Sequence, residues 1–182
     1  MPTALSHPAV PLALGLGLGG RAVPPRLLAA GIVASVLPDL DVITLFHFGV
    51  PSSAVLGHRG FSHSLFFAAL AALAGAAGRR ALGAGFAQAF VFLFVAMASH
   101  GALDVLTRGG PGVALLWPIT GERFFAPVRM IEVSPLGVAW LFSSRGATVL
   151  LSELRWIWLP SGLLTLVLAG LRFACARARR AR

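Results

Sequence analysis

The sequence has few charged residues, one cysteine and no lysine. Only 12% of its 182 residues are charged, roughly half the share usual in soluble domains, so its polar side chains are too few to cover a water-soluble core of this size. A single cysteine, Cys175, excludes a disulfide scaffold. Disordered and collagen-like chains are excluded because polar tracts and periodic glycine are absent. The remaining composition, with a mean hydropathy of +0.85, is typical of a polytopic membrane protein.

Apolar stretches along the chain predict an all-α, multi-pass transmembrane helical bundle of about four to five spans, with a polar outer segment, as one integral-membrane domain over residues 1–182. Most stretches are shorter than the ~20 residues of a straight span, so they need tilting, extension or a re-entrant path. The first lacks the basic region and cleavage site of a removable signal, so we expect it in the mature protein. The stretches are Pro8–Gly20, Leu27–Leu37, Phe61–Gly78, Ala81–Val105 and Trp156–Leu171.

Arginine supplies all fifteen basic residues, and against six acids it gives a net charge of +9. Nine arginines lie in alternate connections, which predicts that those connections, including a basic tail over residues 173–182, are cytoplasmic. The N-terminus and residues 107–155 then lie on the other side. The tail is expected to contact anionic membrane lipids, and no nucleic-acid partner is expected. The nine are Arg21, Arg26, Arg79, Arg80, Arg172, Arg177, Arg179, Arg180 and Arg182.

Three short windows contain every aspartate of the chain and three of its five histidines. They are Asp39–Asp41, His58–His63 and His100–Asp104, and His7 precedes the first apolar stretch. On the topology above, each window falls at the same end of its helix. We therefore expect these side chains to converge on one membrane face, opposite the basic tail.

The spacing of these residues favours metal binding. His100 and Asp104 are four apart, so they project from one face of a helix. Asp39 and Asp41 would repel each other unless a cation lay between them. Imidazole and carboxylate together suit zinc best, with manganese or iron as alternatives. We predict one or two divalent ions held by His7, Asp39, Asp41, His58, His63, His100 and Asp104.

A metal site of this kind makes hydrolysis through metal-activated water the default reaction. Asp41, His63 and Arg59 are the predicted catalytic residues, with a carboxylate that is not a ligand as base. Arg59 would clamp an anionic group, since its fork matches phosphate or carboxylate; otherwise it is an interface anchor. His47, between two phenylalanines, is expected at the interface rather than in the site, and Gln88 is expected to join helices.

Two further interpretations stay open. The first is an intramembrane serine hydrolase in which Ser62 or Ser64 is the nucleophile, with His58 or His63 and Asp104. The second is a transporter or metal-binding regulator that uses the same polar residues without turnover. The acidic residues of the outer segment are expected to be solvated, although one could complete the site. They are Glu122, Glu132 and Glu153.

The order of the motifs resembles a known family. Pro38-Asp39-Leu40-Asp41, His58 to Leu65 and Ser99 to Asp104 are similar to successive motifs of the YdjM-like, LexA-regulated membrane-bound metal-dependent hydrolases. Ser6-His7 and Leu116-Trp117-Pro118 match the start and the end of that pattern. The resemblance covers residues 6–118, whereas residues 119–172, an outer segment and a last span, carry no matching motif.

This resemblance implies a prokaryotic inner-membrane hydrolase whose substrate the family does not fix. Ser6 and Ser62 stand where the family pattern has threonine, which keeps the hydroxyl group. The His100-to-Asp104 element is also similar, by analogy only, to zinc sites of the phospholipase C group. That analogy favours a phosphoester or lipid-linked substrate at the outer membrane face.

Overall fold

A computed structural model describes residues 1–135 and 142–180 of the chain. Within those ranges it is helical and contains no β-strand, only two isolated bridges that pair Thr107 with Ile131 and Val113 with Phe124. The predicted all-α fold is therefore confirmed. Residues 136–141 of the predicted outer segment and 181–182 of the predicted tail lie outside the described residues.

Helices follow the predicted apolar stretches closely. Three shorter turns connect them: a 3₁₀ turn over Leu37–Asp41, a second 3₁₀ turn over Phe61–His63 and a π-helical turn over Leu154–Trp158. Along the described chain the α-helices are α1 (Ala9–Leu18), α2 (Pro25–Val36), α3 (Val42–Phe48), α4 (Leu65–Ala77), α5 (Arg79–Leu82), α6 (Phe86–Val105), α7 (Ser144–Glu153) and α8 (Leu159–Arg180).

Three helical segments are long and apolar enough to cross a membrane: Pro25–Phe48, Phe86–Val105 and Ser144–Arg180. Helices α1 and α4 are apolar but shorter, so the predicted number of spans is consistent with the structure. The last segment is longer than predicted, because helix continues beyond both ends of Trp156–Leu171. Residues 173–180, predicted as a basic tail, are thus the end of α8.

Close helix packing relies on small residues. α1 packs on α8, and α2 and α4 pack on α6. At Gly31 of α2, a Cβ would collide with the ring of Phe92, so glycine lets these two helices come close together. The outward faces are apolar, and Leu166 of α8 is 71% exposed. Such faces are a liability in water but are suited to lipid.

Because successive helices run in opposite directions, alternate connections lie at opposite ends of the bundle, and the polar side chains are divided between these two ends. Arg21 and Arg172 line one cavity at the end we call the basic end, and α5, which carries Arg79, approaches the start of α2 there. Gln88 contacts the connection between α1 and α2 rather than a facing helix, since its Nε2 donates to the carbonyl oxygen of Ala22 at 2.6 Å. The aspartates and four histidines lie at the other end.

Candidate metal centre

The turn after α2 places two carboxylates in the interior. Leu37–Asp41 forms a 3₁₀ turn with Pro38 in its first positions, where a residue without an N–H is tolerated. Both Asp39 and Asp41 are buried within this turn. The first acidic motif therefore points into the bundle immediately after the end of α2.

The segment before α4 has a strained backbone. Arg59 is the only non-glycine residue with a positive φ, 63°, among those described, a conformation that costs energy and concentrates at functional sites. In this conformation its N–H donates to Oδ2 of Asp41 at 3.0 Å. Next to it, a Cβ at Gly101 would lie 2.8 Å from the carbonyl oxygen of His63, so α6 can approach this segment closely.

All seven predicted ligands come together at this end of the bundle, and all are buried. Asp39 (9% exposed), Asp41 (8%) and His58 (7%) are the most exposed of the seven. Within the described residues, three sets of side chains could each hold an ion, with ligand atoms within 4.8 Å of one another. These sets are His7, Asp39 and His100; Asp39, His58 and His63; and His63, His100 and Asp104.

Hydrogen bonds orient the histidine rings. Nδ1 of His100 contacts the carbonyl oxygen of Ser35 at 2.7 Å, and Nδ1 of His58 contacts Oδ1 of Asp41 at 2.7 Å. Nδ1 of His63 lies 3.1 Å from Oδ2 of Asp41. Such partners fix the tautomer and leave Nε2 as the ligand atom. Nε2 of His63 and Nε2 of His100 are 3.0 Å apart, so a proton or a cation must lie between these two nitrogens.

The spacing inside the cluster fits a metal ion. Nε2 of His100 lies 3.4 Å from Oδ1 of Asp39, and Nε2 of His7 lies 3.8 Å from Oδ2 of Asp39. Nε2 of His63 is 3.4 Å from Oδ2 of Asp104. These separations exceed hydrogen-bond lengths and are close to the roughly 3.4 Å between tetrahedral ligands of a zinc-sized ion.

Several of these atoms lack a hydrogen-bond partner. In the described part of the chain, this holds for both ring nitrogens of His7 and both carboxylate oxygens of Asp39 and of Asp104, although Oδ2 of Asp104 forms an ion pair with Arg59. Buried polar atoms are nearly always paired in native proteins, because leaving them unpaired is costly. Imidazole nitrogens and carboxylates facing one another in this way are a donor set that fits a divalent metal.

Two pKa shifts agree with this geometry. Burial, with a smaller contribution from His100, lowers the pKa of His7 to about 3, so its imidazole is neutral, the form that binds metals. Burial opposes protonation of His63 as well, but its contacts with Asp104 and Asp41 outweigh that effect and raise its pKa to about 9. The carboxylates around His63 therefore attract a positive charge, which a bound divalent ion would supply in place of that proton.

Asp41 departs from its predicted role as ligand and base. Besides the contacts with His58, His63 and the Arg59 N–H, its Oδ2 accepts a hydrogen bond from the Ser62 hydroxyl at 2.7 Å. None of the three ligand sets found in the described residues includes it. Its carboxylate lies behind the two rings and orients them.

Arg59 also departs from expectation, both as anion clamp and as interface anchor. Its side chain is fully buried. Nη1 donates to the carbonyl oxygens of Gly109 and Pro111 at 3.1 and 3.0 Å, and Nη2 donates to the hydroxyl of Thr107 at 3.0 Å. Nε lies 3.1 Å from Oδ2 of Asp104. Because its donors face protein oxygens, Arg59 stabilises Asp104 and does not face a substrate.

The expectation that Glu153 is solvated is wrong. It is 1% exposed, and its carboxylate accepts hydrogen bonds from the N–H and the hydroxyl of Thr3 and from the hydroxyl of Ser6. These contacts fix the segment that carries His7. Sequence analysis missed this role because 150 positions separate Glu153 from Thr3. His47 is exposed and outside the cluster, as expected.

The two serines differ in their surroundings. Ser64 is the N-cap of α4, and its Oγ accepts from the N–H of Phe67 at 3.0 Å while donating to the carbonyl oxygen of Phe61 at 2.6 Å. The Ser62 hydroxyl donates its proton to Asp41, and Nδ1 of His63, which lies 3.0 Å from this hydroxyl, donates to Asp41 as well, so that ring does not accept the Ser62 proton. Neither arrangement prepares a serine nucleophile.

Comparison with known proteins gives a consistent result. The family model described as YdjM inner membrane protein matches residues 1–178. The inner membrane protein YbcI of Escherichia coli (strain K12) is 50% identical over 165 residues, which cover 90% of this chain and 95% of that protein. No solved structure matches the chain.

Proposed function

Since the chain belongs to the YdjM inner membrane protein family, we propose that it is a membrane-bound, metal-dependent hydrolase of a lipid-linked phosphoester. One observation carries the proposal: the buried ligand atoms of His7, Asp39 and Asp104 point into one cluster without hydrogen-bond partners. Nε2 atoms of His63 and His100 complete the ring of donors. A purely structural cluster would pair these atoms with one another.

The inner five residues are the proposed metal ligands, and zinc is the first candidate because it favours mixed imidazole and carboxylate donors. Manganese or iron would also suit this set. His58, with Asp39 and His63, forms the set nearest to solvent. The five inner ligands are His7, Asp39, His63, His100 and Asp104.

When bound, a divalent metal supplies Lewis acidity, which makes a nearby water more acidic and polarises a phosphoryl oxygen. His58 is the proposed general base: Asp41 holds its Nδ1 at 2.7 Å, so Nε2 has the free lone pair. The water oxygen attacks phosphorus, its proton passes to Nε2 of His58, and the phosphorus–oxygen bond to the leaving group breaks. The imidazolium then protonates the leaving oxygen, while Asp41 stabilises its charge.

The surroundings of the site support a lipid-linked substrate. Leu40 directly follows Asp39, and Leu56 lies two residues before His58; both side chains are 57% exposed. Exposed apolar side chains this close to the edge of the site suit a phosphoester that stays attached to a membrane lipid. Nine of the fifteen arginines lie in the connections predicted to be cytoplasmic, so the positive-inside rule supports a position of the site on the outer face.

Metal content tests the first half of the proposal. We would purify the full chain in detergent and measure metal per chain by mass spectrometry for wild type, His100→Ala and Asp39→Ala. His47→Ala is the matched control, since His47 is exposed and outside the cluster. We expect near-stoichiometric metal in wild type and in His47→Ala, and less in both site variants. Absence of metal even after reloading would overturn the proposal.

Turnover measurements test the second half of the proposal, the hydrolysis of a lipid-linked phosphoester. We would follow phosphate or alcohol release from a panel of lipid phosphoesters, before and after chelation. Loss of more than half the activity on chelation, restored by zinc or manganese, is expected. A protein that holds metal but cleaves no phosphoester of the panel would refute the hydrolase. Metal-dependent transport by reconstituted vesicles would then favour the transport interpretation.

A further inference from the structure

The cavity at the basic end of the bundle lies at the opposite end of the helices from the candidate metal centre. Its volume is about 480 Å³, and its lining includes Arg21 from the α1–α2 connection and Arg172, Arg179 and Arg180 from α8. Positions 172, 179 and 180 are seven and eight residues apart, so these arginines share one face of α8. Four guanidinium groups therefore surround one space.

No acidic side chain in the described residues pairs with these arginines. The aspartates belong to the metal centre, and Glu153 accepts hydrogen bonds from Thr3 and Ser6. Glu132 pairs with Arg108 and Arg145, each at 3.1 Å. The positive charge of the cavity is thus uncompensated within the described protein, and it attracts an anion.

The position of Arg172 is fixed rather than freely solvated. Its Nη1 lies 3.4 Å from the carbonyl oxygen of Leu16, and its guanidinium carbon lies 4.9 Å from the ring centre of Phe173. The guanidinium also passes directly over Gly19, where a Cβ would collide with it. An arginine held in place binds an anion with less loss of side-chain entropy.

Exposed apolar side chains flank the face of α8 that lines the cavity. Leu164 and Leu171 lie on one side of it, and Leu166 and Phe173 lie on the other. A ligand with a phosphate group and acyl chains would meet guanidinium donors at one end and apolar side chains at the other. A nucleic acid or a free ion would use only the arginines.

We propose that this cavity binds the phosphodiester head group of an anionic membrane lipid, with the acyl chains along α8. The inference concerns the opposite end of the molecule and is independent of the proposed hydrolysis. It predicts that binding depends on the arginines that line the cavity and not on the charge of α8 in general. Arg177, five residues after Arg172, lies on a different side of the helix and does not line the cavity.

The test measures the affinity of the detergent-purified full chain for phosphatidylglycerol by native mass spectrometry, with phosphatidylcholine as the neutral comparison. The variants are Arg21→Gln, Arg172→Gln and Arg179→Gln, and Arg177→Gln is the control of equal charge. Each lining variant should lose roughly fivefold in affinity, from about 1 kcal/mol per arginine near an anionic lipid. Arg177→Gln should change affinity less than about twofold. Arg172→Lys, which keeps the charge but not the fork, should lie between them.

Three results would overturn the proposal. Equal losses in all four glutamine variants would mean that only net charge matters. Equal affinity for phosphatidylcholine and phosphatidylglycerol would remove the anionic head group from the argument. Arginine-dependent binding of inorganic phosphate as tight as that of the lipid would assign the cavity to a free phosphate.

Discussion

Replacement of Asp41 by asparagine separates metal binding from catalysis, because every contact of this carboxylate comes from a donor. Oδ2 accepts from the Arg59 N–H, the Ser62 hydroxyl and the ring of His63, whereas Oδ1 accepts from His58 alone. Asparagine has one acceptor oxygen and one NH₂ group. The backbone N–H of Arg59 can only donate, so the amide oxygen must stay at the Oδ2 position.

The NH₂ group of the asparagine then faces Nδ1 of His58, which must become the acceptor. The ring proton moves to Nε2, so His58 loses the lone pair with which it would take a proton. Loss of general-base catalysis costs about 10²–10⁴ in rate, or roughly 3–5 kcal/mol in the activation barrier. The orientation of His63 is kept. We expect Asp41→Asn to retain its metal and to lose turnover by this factor.

The assay measures metal per chain and turnover on the same preparation, together with the ¹⁵N NMR shifts of the His58 ring, which report the tautomer without any substrate. Asp41→Ala is the matched control. It releases both His58 and His63 and should lower metal affinity by about 10–100-fold. Turnover of Asp41→Asn within threefold of wild type, or metal loss equal to that of Asp41→Ala, would refute the assigned role of Asp41.

Three other variants test the supports of the cluster. Arg59→Gln removes the cation beside buried Asp104 and should lower the free energy of unfolding by about 3–5 kcal/mol, seen as a lower melting temperature in detergent. Glu153→Ala frees the segment that carries His7 and should weaken metal affinity about 10–100-fold in a chelator titration. Gly31→Val forces α2 away from α6 and should cost about 1–3 kcal/mol in thermal unfolding.

Exposed residues of the same types provide the controls for these variants. Arg129→Gln and Glu122→Ala change exposed side chains and should leave melting temperature and metal affinity unchanged. If the Arg59→Gln and Arg129→Gln proteins have the same melting temperature, Arg59 does not stabilise Asp104. Equal metal affinity in the Glu153→Ala and Glu122→Ala proteins would mean that His7 is positioned without Glu153.

The fold and the convergence of the seven predicted side chains at one end of the bundle are predictable because they depend on local pattern and on the alternating direction of successive helices. Apolar stretches indicate where helices form. Because each ligand window lies at the same end of its helix, His7 and Asp104 are expected to lie close together although 97 positions separate them in the sequence. Glu153 was misjudged for the opposite reason. It follows an irregular outer segment whose path no periodicity describes, and only tertiary structure shows that α7 meets the N-terminal residues.

The roles of single residues within the site are harder to predict, since the type of a residue does not show in which direction its side chain points. The guanidinium group that matches a phosphate equally matches the carbonyl oxygens of Gly109 and Pro111, about fifty positions later in the chain. Asp39 and Asp41 are chemically identical and two residues apart. Which of them faces the cluster depends on the donors around each carboxylate, and those come from a different segment.

The charge inside the site limits how many ions it can hold. Asp39, Asp41 and Asp104 contribute −3 and Arg59 contributes +1, so with neutral histidines the buried cluster carries −2. Such a charge is costly at the edge of a bilayer, and the raised pKa of His63 reflects the same excess of negative charge. One divalent ion brings the cluster to zero, whereas two would leave it at +2 until a phosphate arrives. We therefore expect about one metal per chain without substrate and a second only when phosphate is added, which metal analysis with and without phosphate measures; two tightly held ions in its absence would contradict the charge argument.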